Sequence, residues 1–370
     1  MKVGVPQEVK THEYRVGLIP ATVRELCARG HTVVVQTGAG LGMGATDADY
    51  VAAGASIVAD AASVFREAEL IVKVKEPQEQ ERQRLTPQHL LFTYLHLAPD
   101  PAQAQDLLAS GATCIAYETV TSPTGGLPLL APMSEVAGRL SIQAGAHHLQ
   151  KPQGGSGVLL GGVPGVTPAQ VTILGGGVVG LHAATMALGL GARVTVLDRN
   201  LEVLRALSRQ FGSQLEVVYA TADSIERYGA AADLLIGGVL VPGAAAPKLI
   251  THALVRKMKP GSVIVDVAID QGGCCETSRA TTHDAPTYVV DGVVHYCVAN
   301  MPGAVPHCSA QALNHATLPF VLALADHGLD ALRRDSHFAA GLNVHRGQMT
   351  NLAAAQALGL AHVPVNTALA

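Results

Sequence analysis

The six cysteines of this 370-residue chain form no C-x-x-C pair and show no zinc-ligand spacing. A chain this long has no need of disulfide staples, so the expectation is reduced thiols in the cytoplasm. Charge is sparse as well. Only 15% of residues are charged, the net charge is −4, and no basic block exists. Nucleic-acid binding therefore lacks an electrostatic footprint. No window approaches the roughly 18–20 uninterrupted apolar residues of a membrane span. The N-terminus runs straight into a strand-like Lys2-Val-Gly-Val-Pro6, without the long apolar stretch of a signal peptide. Repeats of short period and low-complexity tracts are absent too.

What the chain has is apolar residues (48%) and 39 glycines. That suits large buried parallel sheets with many tight turns and excludes disorder. At roughly 100–200 residues per domain, two domains are expected.

One stretch organises the rest: Val171-Thr-Ile-Leu-Gly175-Gly176-Gly177-Val178-Val179-Gly180, followed by a helix-forming Leu181–Leu188. Gly175, Gly177 and Gly180 match G-x-G-x-x-G. This spacing lets a strand turn sharply, lets backbone approach a pyrophosphate, and lets a helix pack close to the strand. The helix N-terminus then offers N–H groups and partial positive charge to phosphates. By itself the motif is weak, because glycine-rich turns are common. Here Arg193–Leu197 reads as the next strand and ends in Asp198, placed to accept from the adenosine ribose hydroxyls.

Around it, strand and helix patterns alternate. Val3–Pro6, His31–Gln36, Glu69–Lys75, Leu90–His96 and Thr113–Glu118 read as strands, with a helix at Ala21–Arg29. Thr121–Pro128 reads as a linker, and Pro132 opens a helix to about Gln150. Lys151 to Pro168 holds six glycines and three prolines, a loop. Further strands fall at Leu215–Tyr219, Asp233–Ile236, Val263–Val267 and Tyr288–Val290. Met301–Pro306 reads as a second linker, and from Ala310 onward the pattern is helical, with no strand of the earlier kind. The expected fold is α/β, with two Rossmann-like doubly wound domains. Residues 131–305 form a nucleotide-binding domain inserted into a substrate domain of residues 1–130 and 306–370, which ends in a helical C-terminus.

In open parallel sheets ligands sit beyond the carboxyl ends of strands. Lys75, His96 and Asp270 stand at such positions, and Arg15 lies in the loop after the first strand. Arg15 offers a fork for a carboxylate. Lys75 can polarise a carbonyl, His96 can move protons near neutral pH, and Asp270 can pair with an amine or orient water. A small amino or keto acid suits this set. Each residue has a plainer reading: a surface arginine, a lysine on the solvated face of a strand, a structural histidine, an ordinary loop aspartate. Asp266, inside an apolar strand, needs a partner. Cys274-Cys275 has no evident role. The histidines form no ligand cluster, so no metal site is expected.

With these residues placed, the sequence resembles the bacterial L-alanine dehydrogenase family over essentially its whole length. The resemblance rests on Val3–Glu8, Tyr14–Val16, Val72–Pro77, Phe92–Leu97, Leu129–Arg139, Gly161–Val166, Val239–Gly243, Val267–Gly273 and Tyr296–Pro302. It is similar also to the soluble NAD-binding part of proton-translocating transhydrogenase. The resemblance implies reversible conversion of L-alanine, NAD⁺ and water into pyruvate, ammonium and NADH by a homo-oligomer, typically a homohexamer and sometimes a dimer. It implies that Arg15 and Lys75 hold the substrate, that His96 and Asp270 are catalytic, and that Met133 shapes a methyl pocket. NAD contacts are implied at Ser134, Val178, Val179, Asp198, Val239, Leu240, Val267, Ala268, Ile269, Asp270, Arg279, Val298, Ala299, Asn300 and Met301. Asp198 would repel a 2′-phosphate and so favour NAD over NADP, although Arg199 beside it works the other way. The chain departs from the family at Ala220, where a hydroxyl can contact cofactor. It departs also at Ala323, where a glutamate with the equivalent of His327 can hold a metal, so that metal is not expected here. Two rival readings are a transhydrogenase-like NAD(H)-binding component and a non-catalytic NAD-binding sensor.

Overall fold

The computed structural model describes residues 1–239 and 246–370. They divide into two compact units, Met1–Met133 with Gly303–Ala370, and Ser134–Pro302. In chain order the strands of the described residues are β1 (Lys2–Val5), β2 (Thr32–Gln36), β3 (Ser56–Val58), β4 (Leu70–Val72), β5 (Leu90–Thr93), β6 (Thr113–Ala116), β7 (Gln170–Leu174), β8 (Arg193–Asp198), β9 (Leu215–Tyr219), β10 (Leu234–Gly237), β11 (Val263–Asp266), β12 (Thr287–Val290), β13 (Val293–Tyr296), β14 (Leu342–His345) and β15 (Gln348–Met349).

The outer unit's sheet has the order β15-β14-β6-β5-β4-β1-β2-β3, and the inserted unit's has β12-β13-β11-β10-β7-β8-β9. Stripped of its antiparallel edge, each is a parallel sheet in which the chain builds outward from a central strand, then crosses back and builds the other way. This is the doubly wound order, and it opens a crevice where the direction reverses, between β1 and β4 and between β7 and β10.

The strands are Val/Ile/Leu runs because both faces are covered. In the inserted unit the side chains alternate between two cores. Ile173, Val196, Ile236 and Val265 enter one, and Leu174, Leu197, Leu235 and Ile264 enter the other. All eight are essentially inaccessible, and each such burial is worth roughly 1.5–3 kcal/mol.

Three features differ from the expected pattern. β3 is a three-residue edge strand, too short to announce itself by periodicity. β12 and β13 form a hairpin across Asp291-Gly292, both with positive φ, the twist-matched two-residue turn that Asp-Gly favours. The C-terminal region is mainly helical, with Pro306–His327 its longest element, but it also supplies β14 and β15. β14 pairs antiparallel with β6, and β15 pairs antiparallel with β14 across Arg346-Gly347, again with both φ positive. The helical pattern expected from Ala310 to the end is thereby corrected at these two strands. Strands of four and two residues cannot outweigh a helical background.

The odd acid and the cysteine pair of the inserted unit explain each other. Asp266, fully buried, accepts from the backbone N–H groups of Cys274 (2.9 Å) and Cys275 (3.2 Å), which folds the loop after β11 back on the strand end. Nearby, the fully buried His295 contacts the Val293 carbonyl through Nδ1 (2.9 Å) and the Thr277 hydroxyl through Nε2 (2.7 Å). A carbonyl only accepts, so Nδ1 carries the proton and a neutral ring accepts from Thr277. Burial pushes this imidazole below its ordinary value of 6.5. The folded chain thus prefers neutral His295, and below that value the unfolded chain binds the extra proton. The stability of the native chain relative to His295→Gln is expected to fall as pH drops through about 6.5. Thermal midpoints of the two proteins against pH check this, and parallel curves would contradict it.

Candidate active site

In the inserted unit the glycine stretch follows β7. Gly175 has φ +94°, and a Cβ there would stand 2.9 Å from the Gly238 carbonyl at the end of β10. A Cβ on Gly180 would stand 1.9 Å from the Gly175 carbonyl, whereas one on Gly177 would meet nothing within 4 Å. So Gly175 and Gly180 are demanded by the fold of the loop, while Gly177 leaves open space in front of a helix start. That helix, Val178–Gly189, has Gly177 as its N-cap and no side-chain cap. Its first N–H groups are left for a ligand, the arrangement that suits a phosphate. Val178 is exposed and Val179 half-buried at this start.

Asp198 ends β8 and accepts from the N–H groups of Gly176 and Asn200, each at 2.7 Å. A carboxylate has about four acceptor positions, so it holds the loop and retains capacity for a ribose hydroxyl. Val239 follows β10, and Leu240 lies outside the described residues. Val267, Ala268, Ile269 and Asp270 form a single 3-10 turn after β11, with Asp270 exposed. Val298, Ala299, Asn300 and Met301 follow β13, and Asn300 has φ +70°. The parallel ladder therefore brings residues 175–180, 198, 239, 267–270 and 298–301 to one edge of the sheet. Ser134 instead stands on the helix Ala131–His148, and Arg279 lies over the Tyr288 ring at 4.1 Å. The glycine cradle fits a dinucleotide.

In the outer unit the corresponding edge carries charge. Arg15 is 2% exposed, and its guanidinium donates to both oxygens of Glu13, with Nη1 2.9 Å from the Met133 sulfur. Burial acts to lower its pKa, and Glu13 reverses this, so the cation is held more firmly than in water. Lys75 is buried three residues past β4. His96 lies three past β5 in the left-handed region, φ +48°. That conformation is costly for a non-glycine residue. It is stabilised by Glu118, which accepts from the N–H of His96 (2.7 Å) and of Leu95. The ring stacks on Tyr94 at 5.7 Å and lies 3.9 Å from Glu118. Tyr94 in turn donates to the Leu129 carbonyl and feels the charge of Arg15. Tyr94 thus links Arg15 to His96.

Sequence reasoning missed Glu8, Glu13, Lys73, Tyr94 and Glu118. The strand-end rule that picked out Lys75 and His96 applies equally to Glu118, just past β6. Glu8 and Glu13 carried no local signal. Among the described residues no group of three or more His, Cys, Asp or Glu side chains is arranged to hold a metal ion, and no helix is long and apolar enough to cross a membrane.

Comparison with known proteins places the chain. Residues 4–137 match the domain family "Alanine dehydrogenase/PNT, N-terminal domain", and residues 141–352 match "Alanine dehydrogenase/PNT, C-terminal domain". The chain belongs to the alanine dehydrogenase/PNT family. Within that family, the alanine dehydrogenase of Halomonas elongata is 63% identical over 364 residues, 98% of each chain. That of Mycolicibacterium smegmatis is 55% identical over 97% of each. A solved L-alanine dehydrogenase superposes with a TM-score of 0.94 at 54% identity, covering 97% of this chain and 99% of the other. A transhydrogenase from Sinorhizobium meliloti, at 24% identity and a TM-score of 0.82 over 95% of this chain and all of the other, shares the fold.

Gly180→Ala is expected to destabilise the chain by about 1–3 kcal/mol, the cost of overpacking, and to weaken NADH binding. Denaturant unfolding and NADH fluorescence titration check both effects. Unchanged values would show that the loop tolerates a side chain there.

Proposed function

We propose that the chain interconverts L-alanine and pyruvate, releasing or taking up ammonium, with NAD as redox cofactor. The observation that carries this reading is the charged edge of the outer unit, where Arg15 and Met133 meet and Tyr94 joins Arg15 to His96. A carboxylate-binding cation beside an apolar thioether suits a small amino acid with a short side chain. The relatives named alanine dehydrogenase, 63% and 55% identical over nearly the full length, support the same substrate.

NAD, when bound, supplies the hydride acceptor. The chain's own residues do the rest. Gly175, Gly177 and Gly180, with the helix start at Val178 and Val179, hold the diphosphate, and Asp198 accepts from a ribose hydroxyl. Val239, Leu240, Val267, Ala268, Ile269, Val298, Ala299, Asn300, Met301, Ser134 and Arg279 complete the cofactor contacts. Arg15, its plane set by Glu13, pairs with the substrate carboxylate, and Lys75 holds the nascent carbonyl oxygen. Once the substrate is an imine, water adds to it. His96 accepts a proton from that water and returns it to the departing amine. Asp270 stabilises the ammonium or orients the water. The acidic Asp198 disfavours a 2′-phosphate, so NAD is preferred to NADP. All six cysteines are unpaired, which suits a reducing cytoplasm, and the family resemblance supports a homohexamer.

The test is NADH consumption with pyruvate and ammonium. Wild type is expected to turn over, and His96→Ala is expected to lose at least about a hundredfold in kcat, the scale of general acid–base catalysis, while still binding NADH. Near-normal turnover by His96→Ala would remove the proton-transfer role. No turnover by wild type at neutral or alkaline pH would overturn the activity itself.

A further inference from the structure

Behind Lys75 lies buried charge that the reaction above leaves unused. The Glu8 carboxylate, its side chain 2% exposed, follows β1 and receives three donors. Oε1 accepts from the N–H of Val74 at 2.7 Å. Oε2 accepts from the Lys73 ammonium at 3.1 Å and, at a longer 3.4 Å, from the N–H of Lys75. Lys73 is fully buried and also pairs with Glu81 at 2.8 Å. A buried carboxylate is expensive unless its oxygens are used. Burial pushes Glu8 above the ordinary carboxylate range, and Lys73 opposes that.

Two functions are combined in this one side chain, and they are separable. The ion pair to Lys73 is duplicated by Glu81. The bonds to the N–H groups of Val74 and Lys75 are made by Glu8. They act where the β4 strand has already ended, at Val72. On the other side of the same residue, the Thr93 hydroxyl donates to the Lys75 carbonyl at 2.9 Å. Both backbone polar groups of Lys75 are therefore held by side chains from neighbouring strand ends. The peptide that carries the Lys75 ammonium is located by a carboxylate and a hydroxyl.

We propose that Glu8, seconded by Thr93, is the positioning residue for Lys75 and so sets where the substrate's oxygen is held, a role that rests on Lys75 contacting the substrate. Glu8 does not touch substrate. It acts through the backbone of the segment 73–75.

The experiment is steady-state kinetics in the direction of pyruvate reduction, with thermal midpoints, on the full chain. Lys75→Met tests the underlying reading: a wild-type KM for pyruvate in that variant would show that Lys75 is no substrate contact, whatever Glu8 does. Glu8→Met, which leaves Lys73 paired with Glu81 but removes both backbone acceptors, is expected to raise the KM for pyruvate and lower kcat/KM by about 10- to 100-fold, the scale of a small misplacement at a reacting centre, with the KM for NADH unchanged. The triple variant Glu8→Met, Lys73→Met, Glu81→Gln removes the buried charges together with both backbone acceptors of Glu8, which spares the fold an unpaired ion. Its thermal midpoint is expected to recover while its pyruvate KM stays raised. Recovery of both would show that Glu8 serves only to neutralise Lys73 and would overturn the proposal. Should neither Glu8 variant fold, Thr93→Val decides. A raised pyruvate KM with normal NADH binding supports the clamp, and an unchanged KM overturns it.

Discussion

In both units the chain leaves two adjacent parallel strands in opposite directions. Everything else in the molecule follows from that constraint. β1 and β4, and likewise β7 and β10, hydrogen-bond as neighbours while the connections that follow them go to opposite sides. No loop can cover the carboxyl ends of such a pair, so an opening remains. The two units treat this opening in opposite ways. In the inserted unit it is lined with backbone. Gly175 lies against Gly238, and Gly180 packs on the Gly175 carbonyl more closely than any side chain would permit. In the outer unit it is filled with charge: Glu8 and Arg15 from the segment after β1, Lys73 and Lys75 from the segment after β4.

The buried charges of Arg15 and Lys73 are tolerated there because acids pair them. Arg15 is saturated on one side by Glu13, and Lys73 sits between Glu8 and Glu81. Such arrays add little net stability compared with apolar replacements. What they supply is position. A guanidinium gripped through two donors by Glu13 has a fixed plane, and His96 accepts an unfavourable backbone conformation because Glu118 takes two N–H groups there. These acids stand behind the residues proposed to meet the substrate and limit their motion. The inserted unit uses Asp198 and Asp266 in the same manner, each binding backbone N–H groups so that a loop is drawn back onto a strand end.

Much of this was legible in the sequence where the governing interactions are local. G-x-G-x-x-G spans a single turn, so its spacing, together with the apolar strand before it and Asp198 after it, implies the turn and the close helix. Lys75 and His96 stood out because strand ends are visible as the close of apolar runs, although each strand stops three residues earlier than the run suggests. Glu118 obeyed the same rule and was absorbed into the strand before it. Asp291-Gly292 offers a hairpin signal, but Val293–Tyr296 after it, no shorter than the strand before, was not read from it. Glu8 was not legible as a partner of Lys73, because 65 residues separate them and Val-Pro-Gln-Glu reads as an ordinary polar exit from a strand. Asp266 and Cys274 posed two separate puzzles in the sequence, and the folded loop turns them into one interaction.

In this reading the scaffold moves a hydride from the α carbon of alanine to a nicotinamide. The most direct measurement uses L-alanine deuterated at its α carbon together with NAD⁺, followed by mass spectrometry of the NADH formed. The deuterium is expected on the nicotinamide ring, with a slowed rate in single-turnover reactions. NADH free of deuterium, with the label released to water, would contradict it.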